Sequence, residues 1–210
     1  MKRTSLDRLI SGVGLSLAAV LVVAGSLLTW AHNFVGNEVH TELAAQQIYF
    51  PAKGSAAITA PEFAAMRQYA GQQLTTGAQA QVYADHFIAN HLKTIGGGKT
   101  YAQLSAQAQA DPTNTKLAAT ADTMFKGETL RGLLLNAYAF ATMGAIAGIA
   151  AVAAFIAAGL LLLLSGLGLW HGRRVRGRTA VLPGSPPPIH SADSELVSAH
   201  LATPTPADAP

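Results

Sequence analysis

The sequence predicts an all-α membrane protein: two transmembrane helices, with an extracytoplasmic helical domain packed on the extended second helix. Two blocks, residues 9–32 and 132–172, contain no Asp, Glu, Lys or Arg. Each block exceeds the ~20 apolar residues needed to span the ~30 Å of hydrocarbon in a bilayer. The segment between the blocks spaces its apolar residues as helices do and shows no convincing β alternation.

Composition agrees with this class and excludes others. Only 12% of the 210 residues are charged, whereas soluble domains carry about 25%. The basic pI reflects four arginines in HGRRVRGR (171–178), beside the second apolar block. There they indicate topology rather than nucleic-acid binding, and they also suit anionic lipid at the inner leaflet. We therefore expect the lipid bilayer as a partner and no nucleic acid. The absence of cysteine excludes disulfides, thiolate nucleophiles and Cys-based metal sites.

Basic residues flank both apolar blocks on their outer sides. Three precede the first block and four follow the second: Lys2, Arg3 and Arg8, then Arg173, Arg174, Arg176 and Arg178. The intervening segment, about 31–136, balances seven Lys/Arg against seven Asp/Glu. By the positive-inside rule both termini are cytoplasmic. We expect a plasma-membrane location with residues 33–148 outside.

The predicted segments follow from these boundaries. They are a cytoplasmic N-terminus (1–8), transmembrane helix 1 (9–32), an extracytoplasmic helical domain (33–132), a stem helix that continues into the membrane (133–148), transmembrane helix 2 (149–170) and a disordered cytoplasmic tail (171–210). The first span is either an uncleaved anchor or a signal peptide cut after TWA (29–31). Its apolar region is about twice the usual 7–15 residues, which favours the anchor. The tail is rich in Pro, Ser and Ala, and its PPP is either solvated or docks a proline-reading module.

The outside domain divides into short helices at its turn residues. A first helix covers 36–51 and ends at Pro51; a second begins with a capping box from Thr59 to Glu62. A third covers 78–95 and stops at GGG (96–98), a fourth begins at Thr100 with capping-box spacing, and the last begins near Thr115. The expected apolar faces comprise Phe63, Met66 and Ala70; Val82, Ile88, Leu92 and Ile95; and Leu117, Ala121, Met124 and Phe125.

The stem, residues 133–148, is longer than the bilayer requires. With Trp170 at the inner end of the second span, the outer membrane surface falls near Ile149. The stem then projects outward by about 24 Å and is too apolar to stand alone in water. We expect the external helices to bury most of it, with Glu128 and Arg131 paired on its outer side and Asn136, Tyr138 and Thr142 as its polar points. Alternatively a partner protein covers it, or residues 133–170 form two short spans.

No catalytic, cofactor-binding or metal site is predicted, and the chain is not expected to be an enzyme. Four histidines lie in the outside segment: His32, His40, His86 and His91. His86 and His91 are about 140° apart around a helix, so one helix face does not present both to a metal. Ligands from different helices would have to converge for a metal or haem site. GGGKT (96–100) lacks the strand and first glycine of a phosphate loop and indicates a helix stop.

Pairs of small residues four apart occur in both spans. They are Gly144 and Gly148, Ala153 and Ala157, and Gly14 and Ala18. Such pairs let helix backbones approach closely. They predict packing of the two spans against each other, or alternatively self-association or contact with a membrane-protein partner.

Two stretches also resemble a known family. FKGETLRGLLLNAYAFATMG (125–144), with LAAQQIYFP (43–51), resembles an actinobacterial family of two-pass membrane proteins without an established activity, sometimes mislabelled as aromatic ring-opening dioxygenases. The resemblance covers about 31–170 and leaves out the tail. It implies the topology and an actinobacterial plasma membrane, but no catalytic residues. A dioxygenase would need a metal triad, and nothing in this sequence resembles one.

Three functions are consistent with these features. The first is a non-enzymatic accessory or interaction component of the cell envelope. The second is an extracytoplasmic module that binds or senses a lipid or small apolar ligand against the stem. The third is a metal- or haem-binding redox protein that uses the outside histidines. A stoichiometric protein partner favours the first, an apolar cavity against residues 133–138 the second, and bound metal the third.

Overall fold

The computed structural model describes residues 3–179; Lys2 and the part of the predicted disordered tail from residue 180 onward lie outside the described residues. Its elements are α1 (Arg3–Ala45), two 3₁₀ helices (Ala56–Ile58 and Pro61–Tyr69), α2 (Gly77–Val82), a π-helical segment (Tyr83–Ile88), α3 (Ala89–Ile95), α4 (Tyr101–Ala110) and α5 (Thr115–Thr179). No strand occurs between residues 3 and 179, where a single antiparallel bridge joins Tyr49 to Gln73.

The first helix is longer than predicted. α1 continues for 43 residues to Ala45, so the expected separate helix over 36–51 is wrong. Gly36 stays within α1, and the chain leaves the helix through Gln47, whose φ is +52°. Pro51 therefore ends no helix. The reason is tertiary: Val35 packs on Gly144 of α5, and this contact supports helix where the local sequence suggests a break.

α1 and α5 form an antiparallel pair with buried small residues at seven-residue intervals. On α1 these are Ser11, Ala18 and Gly25, and on α5 they are Gly144, Ala151, Ala158 and Ser165. A seven-residue repeat keeps one seam in contact when two helices coil left-handedly about each other. The pair therefore packs as a coiled coil along the apolar blocks.

Close backbone approach at this seam depends on glycine. A Cβ added at Gly14 would meet Ser165 Oγ, and one added at Gly25 would lie 3.0 Å from the Phe155 ring. A Cβ at Gly148 would lie 3.0 Å from His32 Nδ1. At Gly14, Gly144 and Gly148 the small-residue pairs therefore pack α1 and α5 of one chain against each other. This is the first of the two predicted alternatives.

α5 is an unbroken helix of 65 residues. The alternative of two short spans within 133–170 is therefore wrong. Both α1 and α5 are long and apolar enough to cross a membrane, by length and composition.

The segment between the two long helices packs on the N-terminal half of α5. Its core joins Met66, Leu74 and Leu92 to Leu43 of α1 and to residues of α5, chiefly Met124 and Leu134. Two predicted core residues are not buried, because Ile95 is 46% exposed and Phe125 is 52% exposed. Both lie at the margin of the small core rather than inside it.

The predicted N-terminal cap forms at Thr100 but not at Thr59. Thr100 and Gln103 form the expected capping box. Thr59 instead donates its hydroxyl to the Ala56 carbonyl, and the 3₁₀ helix that begins at Pro61 has no side-chain cap. Arg67 explains the difference: its guanidinium binds the carbonyls of Ile58, Thr59 and Ala60 and holds this turn in another geometry.

GGG (96–98) ends α3 as predicted. Gly97 and Gly98 have φ values of +58° and +80°, a region that glycine enters without strain. The Gly98 N–H donates to the Lys93 carbonyl and closes the helix end. GGGKT is a helix stop and turn.

Candidate functional site

The stem buries one side and exposes another. Leu134 is 1% exposed, but Leu133, Phe140 and Met143 are 59%, 55% and 54% exposed. These three residues are called the stem strip below. The prediction of a mostly buried stem is wrong for this side, because more than half of each of these three side chains is exposed.

α1 is polar beside the stem strip. Val35 lies against Gly144, and the two helices are antiparallel. The part of α1 that follows Val35 therefore lies beside the part of α5 that precedes Gly144. In that part Asn37, Glu38 and Glu42 are all exposed. At one height of the helix pair, α1 presents polar side chains and α5 presents apolar ones.

An apolar groove of about 450 Å³ lies between the two helices at this height. α5 contributes Leu133, Ala137 and Phe140, which form one wall. α1 contributes the other lining residues: Phe34, Val35, Glu38, Val39, Glu42, Leu43 and Gln46. The groove combines exposed aromatic and aliphatic side chains with two carboxylates.

The carboxylates of the groove have no cationic partner among the described residues. Glu38 and Glu42 are four residues apart on α1, on one side of the helix. The ion pairs seen between residues 3 and 179 involve Lys126 with Asp122, and Arg131 with Asp85 and Glu128. The groove therefore has an acidic edge that the rest of the described chain leaves unneutralised.

His32 joins the two long helices near Gly144 of the stem. Its Nδ1 lies 2.8 Å from the Gly144 carbonyl oxygen, which accepts the hydrogen bond. His32 also lines two further cavities. The first has a volume of about 270 Å³, and its other lining residues include His40, Thr76 and Ala141. The second has a volume of about 470 Å³, and its other lining residues include Thr29, Ile149 and Phe155. His32 is a packing residue, with its Nδ1 engaged by α5.

The π-helical segment is held to α5 by an ion pair. Arg131 Nη2 lies 3.1 Å from Asp85 Oδ1, and Arg131 Nη1 lies 3.6 Å from Glu128 Oε2. The predicted pair of Glu128 with Arg131 is confirmed. Asp85 is the additional and closer partner, which the sequence did not indicate. Arg131 thus connects the helical segment 77–95 to the start of the stem.

The coupling between Asp85 and Arg131 should exceed that between Asp122 and Lys126. In a double-mutant cycle with Asp85→Asn and Arg131→Gln we expect about 0.5–1 kcal/mol, and about 0.3 kcal/mol for the second pair. The second pair is shorter at 2.6 Å but lies on more exposed side chains, so water and salt screen it more. Thermal unfolding of the four variants of each cycle measures this. Equal couplings would contradict the assignment of Arg131 as a connecting residue.

Aromatic rings pack in tilted and edge-on arrangements between residues 46–76 and the segment 77–95. Phe50 contacts Tyr69 and Tyr83, and Tyr83 contacts Phe87 at a centroid distance of 4.8 Å. Burial raises the pKa of Tyr83 above its ordinary value of 10.0. Its hydroxyl therefore stays protonated at neutral pH, and it supplies no phenolate base or ligand. The cluster stabilises the fold by packing.

His86 and His91 bind different carbonyl groups. His86 Nδ1 lies 3.0 Å from the Glu62 carbonyl oxygen, and His91 Nδ1 lies 2.7 Å from that of Phe87. Within residues 3–179 no three His, Asp or Glu side chains come together as metal ligands. The histidines considered for a metal or haem site are thus dispersed, and His32 and His40 line a cavity elsewhere.

Comparison with known proteins found no matching family model, no matching curated protein and no matching solved structure.

The acidic edge of the groove depends on the unexpected length of α1. The local sequence predicts Glu38 and Glu42 on a short separate helix, whereas both lie on α1. The available signal was the absence of proline between Trp30 and Pro51. A continuous helix would have placed both carboxylates beside the stem.

Proposed function

We propose that this chain is a non-enzymatic two-pass protein of the plasma membrane that acts as an interaction component of the cell envelope. Both termini lie in the cytoplasm and residues 33–148 lie outside. α1 and α5 provide the two spans. The helical segment 46–114 packs on the stem at the outer surface of the membrane. The stem strip there is the surface that binds a protein partner.

Basic flanks and aromatic residues support this membrane placement. Arg3 and Arg173 belong to the two basic clusters that flank the spans on the same side, as cytoplasmic flanks do. Trp30 and Trp170 are exposed and lie near opposite ends of the spans, where aromatic belts occur. With the outer surface near Trp30, the stem strip stands in water.

The exposed stem strip is the observation that carries the proposed function. Large apolar side chains that cluster on a water-exposed surface mark interaction sites. Leu133, Phe140 and Met143 form such a cluster along about 15 Å of the stem, and the exposed residues of α1 beside it include Asn37, Glu38 and Glu42. A protein partner that covers the strip removes its exposure to water.

Topology is tested by single-cysteine labelling, because the chain has no cysteine of its own. Ala106→Cys places one thiol on the exposed surface of α4, and Ser185→Cys places one in the tail. On intact cells a membrane-impermeant maleimide should label the first variant and not the second. Permeabilised cells should give both labels. Labelling of Ser185→Cys on intact cells would overturn the proposed orientation.

The interaction is tested by affinity purification from native membranes in a mild detergent. The wild-type chain should bring a stoichiometric companion protein, and Leu133→Ser with Met143→Ser should lose it. Ile95→Ser is the matched control, since Ile95 is also exposed and lies away from the stem. A companion that survives the double substitution would show that the strip is not its binding surface.

A second candidate function, binding of an apolar ligand, is favoured by the position of the groove. Leu133 and Ala137 of the stem line the groove. A cavity against these stem residues is the feature that favours a lipid-binding module. Native mass spectrometry of the purified chain distinguishes the two. One bound lipid per chain, lost in Ala137→Phe, would favour the ligand function over the interaction function.

A further inference from the structure

The groove between α1 and α5 has a charge pattern that selects its occupant, an inference that rests on the proposed function. We propose that it receives a helix of a partner membrane protein. That helix presents an apolar face to Leu133 and Phe140, and Lys or Arg side chains to Glu38 and Glu42.

The walls of the groove suit the side chains of a helix. Phe140 and Leu133 stand on one wall and are more than half exposed, so they gain most from being covered. Val39 and Leu43 form the floor on the α1 side and are more buried. The volume of about 450 Å³ admits apolar side chains, while the backbone of the partner helix stays outside.

The acidic edge specifies the charge of the partner. Glu38 and Glu42 lie one helical turn apart, so their Cα atoms are about 6 Å apart along α1. A neighbouring helix that carries Lys or Arg at positions i and i+4 matches this spacing. Once the groove is covered, such pairs are desolvated and contribute more than exposed pairs do.

The same charges disfavour two other occupants. A phospholipid would bring its phosphate close to two carboxylates, and like charges repel. A second copy of this chain, docked groove to groove about a two-fold axis, would place Glu38 and Glu42 opposite their own counterparts. A basic partner of different sequence avoids both costs.

The groove lies next to the membrane surface. Phe34, at its lower end, stacks on Trp30 with ring centroids 5.5 Å apart. A tryptophan there marks the bilayer interface. A partner helix that leaves the membrane beside α1 and α5 therefore enters the groove without a turn.

Site-specific photocrosslinking in native membranes tests the proposal. A photoreactive amino acid replaces Phe140 in the groove, Met143 on the stem strip outside the groove, or Ala119 on the exposed surface of α5. We expect a discrete protein adduct from position 140 and none from position 119. A lipid adduct, or an adduct of two copies of this chain, at position 140 would overturn the proposal.

Charge reversal then tests the acidic edge. Glu38→Lys with Glu42→Lys should lower the yield of the position-140 adduct about tenfold or more, because close charge pairs couple by at least about 1.4 kcal/mol. Glu62→Lys with Asp122→Lys makes the same change in net charge at exposed sites outside the groove and should leave the yield unchanged. An equal loss in both would overturn the specific role of the groove.

Rescue completes the test. Mass spectrometry identifies the crosslinked segment, which should be a helix with Lys or Arg one turn apart. Reversing those residues to Glu should restore the adduct with the Glu38→Lys, Glu42→Lys chain. A crosslinked segment without basic residues would overturn the proposal.

Failure of this inference differs from failure of the proposed function. A protein adduct from position 143 but not from position 140 retains the stem strip as an interaction surface and removes the groove as its docking site. The absence of protein adducts from both positions would remove the interaction function as well.

Discussion

Replacing Gly77 by alanine should destabilise the protein by about 1–3 kcal/mol, as overpacking of a tight contact does. The added Cβ would meet Ala141 Cβ and lie 3.2 Å from Tyr138 Cα. Because Tyr138 Cα belongs to the backbone of α5, no side-chain rotation relieves the contact. Helix α2 has to move away from the stem. The thermal unfolding midpoint of the detergent-purified chain should fall by several degrees.

Gly132→Ala is the matched control for this change. Gly132 is also helical, and nothing lies within 4 Å of the position that its Cβ would take. Alanine is more favourable than glycine in a helix interior by about 0.5–1 kcal/mol, so this variant should be slightly more stable than the wild type. If both variants shift the midpoint in the same direction, α2 does not pack on the stem as described.

Leu134→Ala should cost about 2–5 kcal/mol, the usual range for truncating a buried leucine. Leu134 is 1% exposed and belongs to the core shared by α1, the segment 46–114 and α5. Its loss leaves a cavity where these three parts meet. Loss of protection against a protease, measured on the purified chain with rising temperature, reports this destabilisation of the segment 46–114.

The neighbouring Leu133→Ala makes the same chemical change on the exposed side of the stem. It should alter stability by no more than about 0.5 kcal/mol, as exposed substitutions generally do. Its effect should instead appear in the recovery of the companion protein. Similar losses of stability in the two variants would contradict the one-sided burial of the stem.

Features governed by local physics were predictable from the sequence. The capping box at Thr100 and the helix stop at Gly97 and Gly98 both formed as expected. Each depends only on groups that lie within a few residues of one another along the chain. The pair of Glu128 with Arg131 is likewise a neighbour contact on one helix.

Features that depend on distant contacts were missed. Thr59 does not cap the next helix, because Arg67 binds the carbonyls around it. The first helix does not end near Gly36, because α5 supports it beyond the apolar block. Asp85 pairs with Arg131 across 46 residues of sequence. None of these contacts leaves a signature within a window of one helix.

The sequence by itself determined that the chain is helical, that two of its helices are long and apolar enough to cross a membrane, and that the second is too long for a bilayer. These properties follow from composition, spacing and charge along the chain. Only the tertiary structure decided which side of the stem is covered and that Glu38 and Glu42 stand beside Leu133 and Phe140. The physical reason is that exposure and electrostatic environment depend on how helices pack, and packing brings together residues about a hundred positions apart.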